Sequence, residues 1–251
     1  MRNDNSAPCP TPLFSIITVT YNAGDVLERT IRSVREQTFS EVEHLIIDGA
    51  SSDDTLSIIA RYRRNLSTVV SEPDDGLYDA MNKGIQQAKG HYLCFLNAGD
   101  RFHAPDTLER MAASLPTGTP LPDVLYGDTD IVDAAGHFLH KRRLSPPEKL
   151  TWHSFRQGML VCHQAFFASR ELAAAEPYDL RYRYSADFDW CIRIMKRATN
   201  LFNTRLTLID YLDEGITTRH HKASLCERFH IMAHYYGWIG TAIRHIWFLI
   251  R

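Results

Sequence analysis

The chain of 251 residues lacks the cysteine patterns that would cross-link a small fold and a long apolar run that would span a membrane. Its five cysteines are scattered, odd in number and never spaced as C-x-x-C, which argues against both a disulfide framework and a zinc site. Residues 1–12 are polar, contain three prolines and have no apolar stretch, so they predict a flexible leader and not a signal peptide. We therefore expect the chain in a reducing compartment, the cytoplasm.

The chain also lacks an excess of charge of either sign. Its 28 Lys and Arg residues nearly balance 30 Asp and Glu residues, which gives a net charge of −2. A field strong enough to capture nucleic acid is therefore not expected. The length is sufficient to bury a core without disulfides or metal ions, and no repeat or low-complexity segment interrupts it. We predict one continuous domain from residue 13 to residue 215.

The C-terminal segment, residues 231–251, has many aromatic and aliphatic residues but no long uninterrupted apolar run. Its charged residues argue against a helix that spans a bilayer. The segment predicts an amphipathic helix, for which two placements stay open. The helix could pack against the domain, or it could lie on the inner face of a membrane with its aromatic residues at the interface.

The first hundred residues contain an alternation of apolar runs and helical stretches. Strands are predicted at residues 14–20, 42–47, 68–71 and 91–96, and the helices between them begin near residues 24, 56 and 77. The first run, FSIITVT, is β-branched and almost wholly apolar, as expected for a strand that is buried on both faces. The pattern predicts an α/β fold with a Rossmann-like sheet that helices flank on both faces.

The second half has shorter apolar runs and more aromatic residues and histidines. Strands are predicted at residues 124–127, 129–132, 137–141 and 159–168, and a helix at residues 186–198. These elements would form the wall of a cleft beside the first half.

Three polar loops follow predicted strands of the first half, at residues 21–22, 48–51 and 97–100. The carboxyl ends of parallel strands meet at one edge of a sheet, where ligands of such folds bind. A carboxylate such as Asp100 at that edge suits a metal ion that is bound to phosphate. By itself the loop Asn97-Ala98-Gly99-Asp100 is more typical of a simple turn, because Asn, Gly and Asp are the commonest turn residues.

Four strings carry a resemblance to a known family: TVTYN at residues 18–22, IDGASSDDT at 47–55, GLYDAMNKGI at 76–85 and FLNAGD at 95–100. Together they resemble family 2 glycosyltransferases, over roughly residues 14–200. The GLYDAMNKGI helix is the most specific string and is similar to the colanic-acid and exopolysaccharide biosynthesis subgroup. The resemblance implies a single GT-A domain with a mixed sheet and a C-terminal helical extension.

The resemblance divides the chain into a nucleotide-binding half, residues 13–104, and an acceptor-binding half, residues 105–215. Residues 216–251 would then be a lid and a C-terminal helix. The implied reaction is inverting transfer of a sugar from a UDP- or GDP-sugar to a hydroxyl of a growing, lipid-linked glycan. The implied donor-binding residues are Thr20, Tyr21, Asp48, Ser51, Asp79, Asn82, Lys83, Asn97 and Asp100.

Some of these residues have a simpler interpretation that stays open. Asp48 could cap the turn into the next helix, since Asp-Gly-Ala-Ser suits that role. Asp79 and Lys83 are four residues apart on one helix, the spacing of an exposed ion pair.

The resemblance also implies a cation, Mg²⁺ or Mn²⁺, held by Asp100. This acid is all that is left of the usual acidic loop, because Asn97 and Gly99 stand where other members have acids. One carboxylate can suffice, since Mg²⁺ on a diphosphate keeps several of its waters. His220, in the predicted lid, is a further candidate ligand.

Transfer to a hydroxyl needs a general base, and the resemblance implies Asp187 for this role. The Glu that usually precedes the base is Ala186 here, and Asp189 is the second candidate. Alternatively, Asp187 could only favour the dipole of its helix. His163 and Gln164 resemble a pocket-lining strand of the same subgroup, although a strand histidine bonded to the backbone fits equally.

Two other functions are compatible with these departures. A nucleotide-sugar binding protein without catalysis would explain the reduced acidic loop. A sugar nucleotidyltransferase would need a Gly-rich, basic triphosphate loop after the first strand, and residues 21–25 offer no basic side chain.

Overall fold

The computed structural model describes residues 11–213 and 221–250. The strands are β1 (Phe14–Thr20), β2 (Val42–Asp48), β3 (Thr68–Ser71), β4 (Tyr92–Phe95), β5 (Arg101–Phe102), β6 (Val124–Val132), β7 (Phe138–Lys141), β8 (Phe166–Ser169) and β9 (Leu201–Leu212). The helices are α1 (Gly24–Arg35), α2 (Thr55–Arg61), α3 (Leu77–Gln87), α4 (Thr107–Ala113), α5 (Arg170–Ala175), α6 (Ala186–Arg197), α7 (His221–Tyr236) and α8 (Trp238–Ile250).

All nine of these strands belong to one mixed sheet, in the order β3-β2-β1-β4-β8-β6-β9-β5, with β7 paired to β6. The first four strands in that order are parallel, as the alternation of strands and helices predicts. Strand β8 then runs antiparallel to both β4 and β6. The parallel half and the second half are therefore joined edge to edge through β8.

The parallel half is held together by burial on both faces of its strands. Every residue of β1 is buried, and α3 packs closely on that strand. A Cβ built on Gly84 of α3 would lie 2.5 Å from Ile17 Cγ2, so the helix approaches the sheet at a distance that only glycine permits. This contact fixes the position of the GLYDAMNKGI helix against the strand that supplies the first polar loop.

The second half departs from the predicted strands in three places. Residues 124–132 form one continuous strand and not two. A Cβ built on Gly127 would lie 2.5 Å from the Leu206 carbonyl oxygen, so glycine allows the neighbouring strand to approach closely where the pairing shifts register. The predicted strand at residues 159–168 is wrong for its first part, where a 3₁₀ turn at His163–Ala165 precedes β8. Strand β9, which pairs in parallel with β6, was not predicted.

The C-terminal segment forms two helices and not the one that the sequence predicts, because Gly237 adopts a φ of +85° between α7 and α8. Helix α7 packs on the domain through Ile231, Met232 and Ala233, which are buried. In the part of the chain that is described, no helix is long and apolar enough to cross a membrane. The predicted leader up to residue 10 and most of the predicted lid, with His220, lie outside the described residues.

Candidate active site

A cavity of about 540 Å³ opens where the parallel strands end and the second half begins. It is lined by residues of the parallel half, of the second half and of α7. Seven predicted site residues line it: Thr20, Tyr21, Asn97, Asp100, His163, Gln164 and Asp187. Six others do not: Asp48, Ser51, Asp79, Asn82, Lys83 and Asp189.

The loops after β1 and β2 are clasped together by hydrogen bonds. Ser51 Oγ accepts a hydrogen bond from Asn22 N at 2.8 Å, and Asn22 Oδ1 accepts one from Ser52 N at 2.9 Å. Asn22 and Ala50 both adopt positive φ, at 47° and 60°. Such strained backbone persists only where surrounding bonds hold it. The clasp therefore fixes Tyr21 at the mouth of the cavity.

Asp48 belongs to this clasp and not to the cavity wall. It is fully buried, and its carboxylate accepts hydrogen bonds from Ser51 N at 3.0 Å, Ser51 Oγ at 2.5 Å and Ser71 Oγ at 2.7 Å. The turn-stabilising alternative for Asp48 agrees with this geometry. Contact of Asp48 with a nucleotide base would require this fully buried carboxylate to become accessible.

The rim of the cavity contains a residue that the sequence interpretation missed, Asp74. It lies in the loop after β3, which ends at the same edge of the sheet as the other parallel strands. A Cβ built on Gly49 would lie 2.5 Å from Asp74 Oδ2 and 3.4 Å from Tyr21 Cδ2. Tyr21 is 66 % exposed, so its ring is available as a flat surface for a ligand. Gly49 thus leaves room for an aromatic ring and a carboxylate side by side.

The polar residues of α3 that the resemblance assigns to the donor, Asp79, Asn82 and Lys83, are bonded within the protein in this structure and do not line the cavity. Lys83 Nζ lies 3.0 Å from Glu72 Oε1 and 3.6 Å from Asp79 Oδ2, so the ion-pair alternative describes this pair. The Asn82 amide makes two hydrogen bonds with the Tyr178 backbone, at 2.8 and 3.0 Å. These residues position the helix and a neighbouring loop.

The loop of Asn97 to Asp100 is shaped by α1 and by β9. Thr30 Oγ1, from α1, donates to Asp100 O at 2.7 Å and accepts from Gly99 N at 2.9 Å. Gly99 has a φ of +101°, and a Cβ there would lie 2.8 Å from Leu212 Cδ2. An acid could not occupy this position without strain and a clash. The departure at Gly99 therefore has a steric cause.

The Asp100 carboxylate is buried and lies on the cavity wall. Its oxygens accept hydrogen bonds from Leu212 N at 3.0 Å and from Gln164 Nε2 at 2.9 Å. Burial raises the pKa of Asp100 from 3.8 to about 7, which these hydrogen bonds and the charge of Arg29 only partly oppose. A cation or another positive group next to it would favour the ionised form.

The atoms around Asp100 fit a cation that is shared with a ligand. Asn97 Oδ1 and Thr20 Oγ1 are buried, belong to residues that line the cavity and have no hydrogen-bond partner. Carboxylate and amide oxygens suit Mg²⁺ or Mn²⁺. Within residues 11–213 and 221–250, no group of three His, Cys, Asp or Glu residues could hold a metal ion. The chain would supply a few ligands, and a diphosphate and water the others.

Asp187, in the first turn of α6, lines the cavity from the second half of the chain, where Tyr78 orients it. The Tyr78 hydroxyl donates to Asp187 Oδ1 at 3.1 Å, and Phe188 N donates to the same oxygen at 2.9 Å. Burial and the charge of Asp187 raise the pKa of Tyr78 well above 10, so the phenol keeps its proton for this bond. Tyr78 is a second residue that the sequence interpretation missed.

Asp189, the second candidate base, is buried away from the cavity. Its carboxylate binds Arg193 Nε at 2.7 Å and accepts a hydrogen bond from the Tyr235 hydroxyl at 2.8 Å. The predicted role of Asp189 in an acceptor pocket stays a prediction, and in this structure both of its oxygens are bonded to structural partners. It attaches α6 to α7.

His163 and Gln164 line the cavity from a 3₁₀ turn and not from the predicted strand. His163 Nε2 lies 2.5 Å from the Tyr178 hydroxyl, and its ring stacks on Phe95. Burial lowers the pKa of His163 to about 4, so the ring is neutral at physiological pH. Gln164 joins the second half to Asp100, a contact that no local pattern in the sequence signals.

Two arginines also line the cavity and were missed. Arg142 donates hydrogen bonds to the carbonyls of Leu144, Met159 and Leu160, and so ties the loop before the 3₁₀ turn to β7. Arg228, from α7, brings a guanidinium into the cavity from the C-terminal region. Sequence reasoning found the acids because they follow strands or begin helices, whereas these two arginines occupy no such marked position.

Comparison with known proteins gives consistent results for the family. The model of glycosyl transferase family 2 matches residues 15–175. A PGL/p-HBAD biosynthesis glycosyltransferase of Mycobacterium tuberculosis is 38 % identical over 186 residues, which cover 72 % of this chain and 69 % of that protein.

Solved structures share the fold at low sequence identity. S. aureus TarS in complex with UDP-GlcNAc has a TM-score of 0.71 and 18 % identity, covering 92 % of this chain and 66 % of that one. A mannosyltransferase from Pyrobaculum calidifontis in complex with GDP-Man and Mn²⁺ has a TM-score of 0.62 and 15 % identity, covering 93 % and 74 %. The predicted GT-A fold is confirmed. The matched family model and the identity to a named glycosyltransferase together show that this chain belongs to glycosyl transferase family 2 and is a transferase.

Proposed function

We propose that this protein is an inverting glycosyltransferase that moves a sugar from a nucleotide diphosphate sugar to a hydroxyl of a glycan acceptor. The observation that carries the proposal is one cavity that contains, besides Asp74, the carboxylates of Asp100 and Asp187 in different surroundings. Asp100 is buried and bonded to the second half, whereas Asp187 is partly exposed at the start of a helix. Carboxylates in such different environments suit different roles in one reaction.

The donor is placed at the end of the cavity that Thr20, Tyr21 and Asp74 line. The Tyr21 ring offers a stacking surface for a nucleotide base, and the Asp74 carboxylate offers an acceptor for ribose hydroxyls. The complexes of similar folds with UDP-GlcNAc and with GDP-Man support a UDP- or GDP-sugar as donor. This arrangement puts the diphosphate near the loop of Asn97 to Asp100.

A divalent cation, Mg²⁺ or Mn²⁺, is proposed at that loop. Asp100 and Asn97 Oδ1 would hold it together with the diphosphate. When bound, the cation would neutralise charge on the leaving diphosphate. The Mn²⁺ in the mannosyltransferase complex supports this assignment. His220, which lies outside the described residues, stays a candidate ligand.

Asp187 is proposed as the general base. It takes the proton of the acceptor hydroxyl as that oxygen attacks the sugar carbon, and the bond from that carbon to the diphosphate breaks. Attack from the side opposite the leaving group inverts the configuration at the sugar carbon. Tyr78 donates to Asp187 Oδ1, so the carboxylate is held in place with its other oxygen, Oδ2, available to the acceptor.

The acceptor is proposed to be a lipid-linked glycan, reached by contact with a membrane through α8. Trp238, Ile239 and Ile243 on this helix are 63 %, 80 % and 64 % exposed. Residues 221–251 hold four Lys and Arg residues against a single acidic one, Glu227, within a chain whose net charge is −2. Exposed aromatic and aliphatic side chains on a basic segment match an anionic lipid surface.

The experiment that tests the reaction separates binding from chemistry. In Asp187→Asn, transfer should fall by about a hundredfold or more, since a general base contributes about 10² to 10⁴ in rate. The rise in melting temperature that UDP or GDP with Mn²⁺ produces should stay as in the wild type. Asp25→Asn, which removes an exposed carboxylate from the first turn of α1, is the matched control.

Three results would contradict the proposal. Asp187→Asn with normal transfer would exclude this base. A product with the donor's anomeric configuration, read from its NMR coupling constants, would exclude inversion. A wild-type protein that binds UDP and GDP but never releases them from any nucleotide sugar in the presence of acceptor extract would instead be a binding protein.

A further inference from the structure

Two arginines line the cavity without a role in the proposed reaction, and Arg142 is the one that donates to three backbone carbonyls. Arg228 lines the cavity from α7, and its Nε is buried without a hydrogen-bond partner. Within residues 11–213 and 221–250, no carboxylate forms an ion pair with its guanidinium. A buried N–H without an acceptor is costly, so a group that enters the cavity could supply the acceptor that Nε lacks.

The surroundings of Arg228 show why the protein itself does not neutralise it. The neighbouring acid on α7, Glu227, is turned outward and accepts hydrogen bonds from Arg183 N at 2.9 Å and Tyr184 N at 2.8 Å. The guanidinium lies over the Phe188 ring, with its Cζ 5.9 Å from the ring centroid. The contact with this ring holds the guanidinium beside α6, and no ion pair to a described residue competes for its charge.

Arg228 belongs to the Asp187 end of the cavity. Phe188, which it covers, follows Asp187 on α6. The charge of Arg228 lowers the pKa of Tyr78, the phenol that donates to Asp187, in opposition to the larger effect of burial. The cation that acts on Asp100 is Arg29 instead. Arg228 is thus placed to meet the acceptor and not the diphosphate.

We propose that Arg228 forms an oxyanion subsite beside Asp187, which binds a carboxylate or phosphate group carried by the acceptor. The planar guanidinium presents paired N–H donors that match either group. The acceptor sugar would then be acidic, such as a uronic acid or a phosphorylated sugar. This inference rests on the proposed function for the role of Asp187, and it adds the chemical class of the acceptor.

The test uses binding, so that it does not depend on transfer. Two pairs of probes differ in one carboxylate: methyl glucuronide against methyl glucoside, and methyl galacturonide against methyl galactoside. A further pair, glucose 6-phosphate against glucose, tests a phosphate. Their binding to the full chain with UDP and Mn²⁺ present is measured by saturation-transfer NMR titration, for the wild type, Arg228→Gln and Arg228→Lys.

We expect the wild type to bind at least one acidic probe about tenfold to a hundredfold more tightly than its neutral partner, as for a charge-assisted hydrogen bond. Arg228→Gln should lose this preference and keep its affinity for UDP within about twofold. Arg228→Lys should keep part of the preference, because lysine preserves the positive charge but lacks the paired N–H donors of the planar guanidinium. Arg64→Gln, which removes an exposed charge away from the cavity, should keep all of it.

Four results would overturn the subsite. The first is equal or undetectable binding of both members of every pair by the wild type. The second is a preference that survives in Arg228→Gln with a normal melting temperature. The third is a loss of UDP affinity in Arg228→Gln as large as the loss of preference, which would assign Arg228 to the donor. The fourth is that both Arg228 variants lose the preference and that their melting temperatures fall by the same amount, which would give Arg228 a structural role.

Failure of transfer in the wild type would contradict the proposed function and leave these binding results unchanged.

Discussion

Asp100 is the residue at which the two halves of the molecule meet. The loop after β4 supplies its carboxylate, β9 donates a backbone N–H from Leu212, and the 3₁₀ turn donates the amide of Gln164. These contacts hold the carboxylate in a buried position, where desolvation raises its pKa to about 7. A residue in this state is poised to bind a cation at neutral pH, at a cost to the stability of the protein without one.

That cost predicts an unusual effect of Asp100→Asn in EDTA. Because the folded pKa, about 7, exceeds the ordinary 3.8, the stabilisation from protonated Asp100 is complete below about pH 4 and is lost as pH rises through 7. Asparagine cannot ionise, so the free energy of unfolding of the variant relative to wild type should rise on the order of 2 to 4 kcal/mol from pH 5 to pH 8. Urea unfolding at several pH values measures this difference.

The matched control for this effect is Asp25→Asn, whose carboxylate is exposed. Its unfolding free energy should follow the wild type in parallel over the same range. Parallel curves for Asp100→Asn as well would show that Asp100 is not buried as described. The same Asp100→Asn variant should lose the stabilisation that Mn²⁺ adds to UDP or GDP.

Tyr78→Phe tests the hydroxyl that orients Asp187. Removing a hydrogen bond to a charged group costs about 1.5 to 3 kcal/mol, so kcat should fall by about tenfold or more. The KM for the donor should change little, because the hydroxyl faces Asp187 and not the donor end. Tyr62→Phe removes a similar bond, from Tyr62 to Glu28 at 2.6 Å, outside the cavity and should leave kcat unchanged. Equal effects of the two variants would contradict a specific role for Tyr78.

Among the elements, the four parallel strands and their loops are the part that local sequence determines best. The β-branched runs, the helix-start signals and the glycines all agree in this half, and the predicted strands lie where the structure has them. The 3₁₀ turn at His163 and strand β9 were not predicted. Residues 201–212 include Asn203 and Arg205, of which Arg205 adopts a φ of +57°, so their pattern does not read as a strand. Pairing with β6 overrides the local preference.

Gly99→Ala tests the shape of the Asn97 to Asp100 loop. The φ of +101° and the 2.8 Å approach of Leu212 Cδ2 should together destabilise the protein by about 1 to 3 kcal/mol. Because the loop carries Asp100, stabilisation by UDP or GDP with Mn²⁺ should also weaken. Thermal unfolding with and without nucleotide and Mn²⁺ measures both effects.

Gly118→Ala is the matched control for that variant. Gly118 has a φ of +75° but no atom within 4 Å of a built Cβ, and it lies outside the cavity. It should show a smaller loss of stability and normal nucleotide binding. If Gly99→Ala bound nucleotide and Mn²⁺ normally, the loop would not be the cation site.

At the scale of the whole molecule, the cavity exists because two halves of one sheet are joined through β8. The parallel half brings Tyr21, Asp74 and Asp100 to one edge, and the second half brings Asp187 and Gln164 to face them. Helix α7 closes the cavity with Arg228, and α8 continues from it with exposed apolar side chains. Arg228, which lines the cavity, and the exposed apolar side chains of the proposed membrane-facing helix thus belong to consecutive elements.

This placement predicts binding to anionic vesicles. Wild-type protein should co-sediment with vesicles that contain phosphatidylglycerol more than with pure phosphatidylcholine, and less at high salt. The double variant Ile239→Ser and Ile243→Ser should lose most of this binding.

The control for the vesicle experiment is the double variant Phe138→Ser and Leu139→Ser on β7, which removes another exposed apolar pair, 57 % and 47 % exposed. It should bind vesicles as the wild type does. Equal binding by all three proteins would exclude α8 as the contact.

The sequence by itself determined the family and the parallel half of the sheet, and it marked Asp100 and Asp187 as candidate site residues, because these depend on local runs, caps and loops. The tertiary structure decided what those residues touch. In the folded protein, Asp48, Asp79 and Asp189 are bonded to structural partners. Gln164, Tyr78 and Arg228 line the cavity, although they lie far apart in the sequence. Local chemistry sets which strand or helix forms, whereas burial, pKa and partners arise only when segments far apart in the chain pack together.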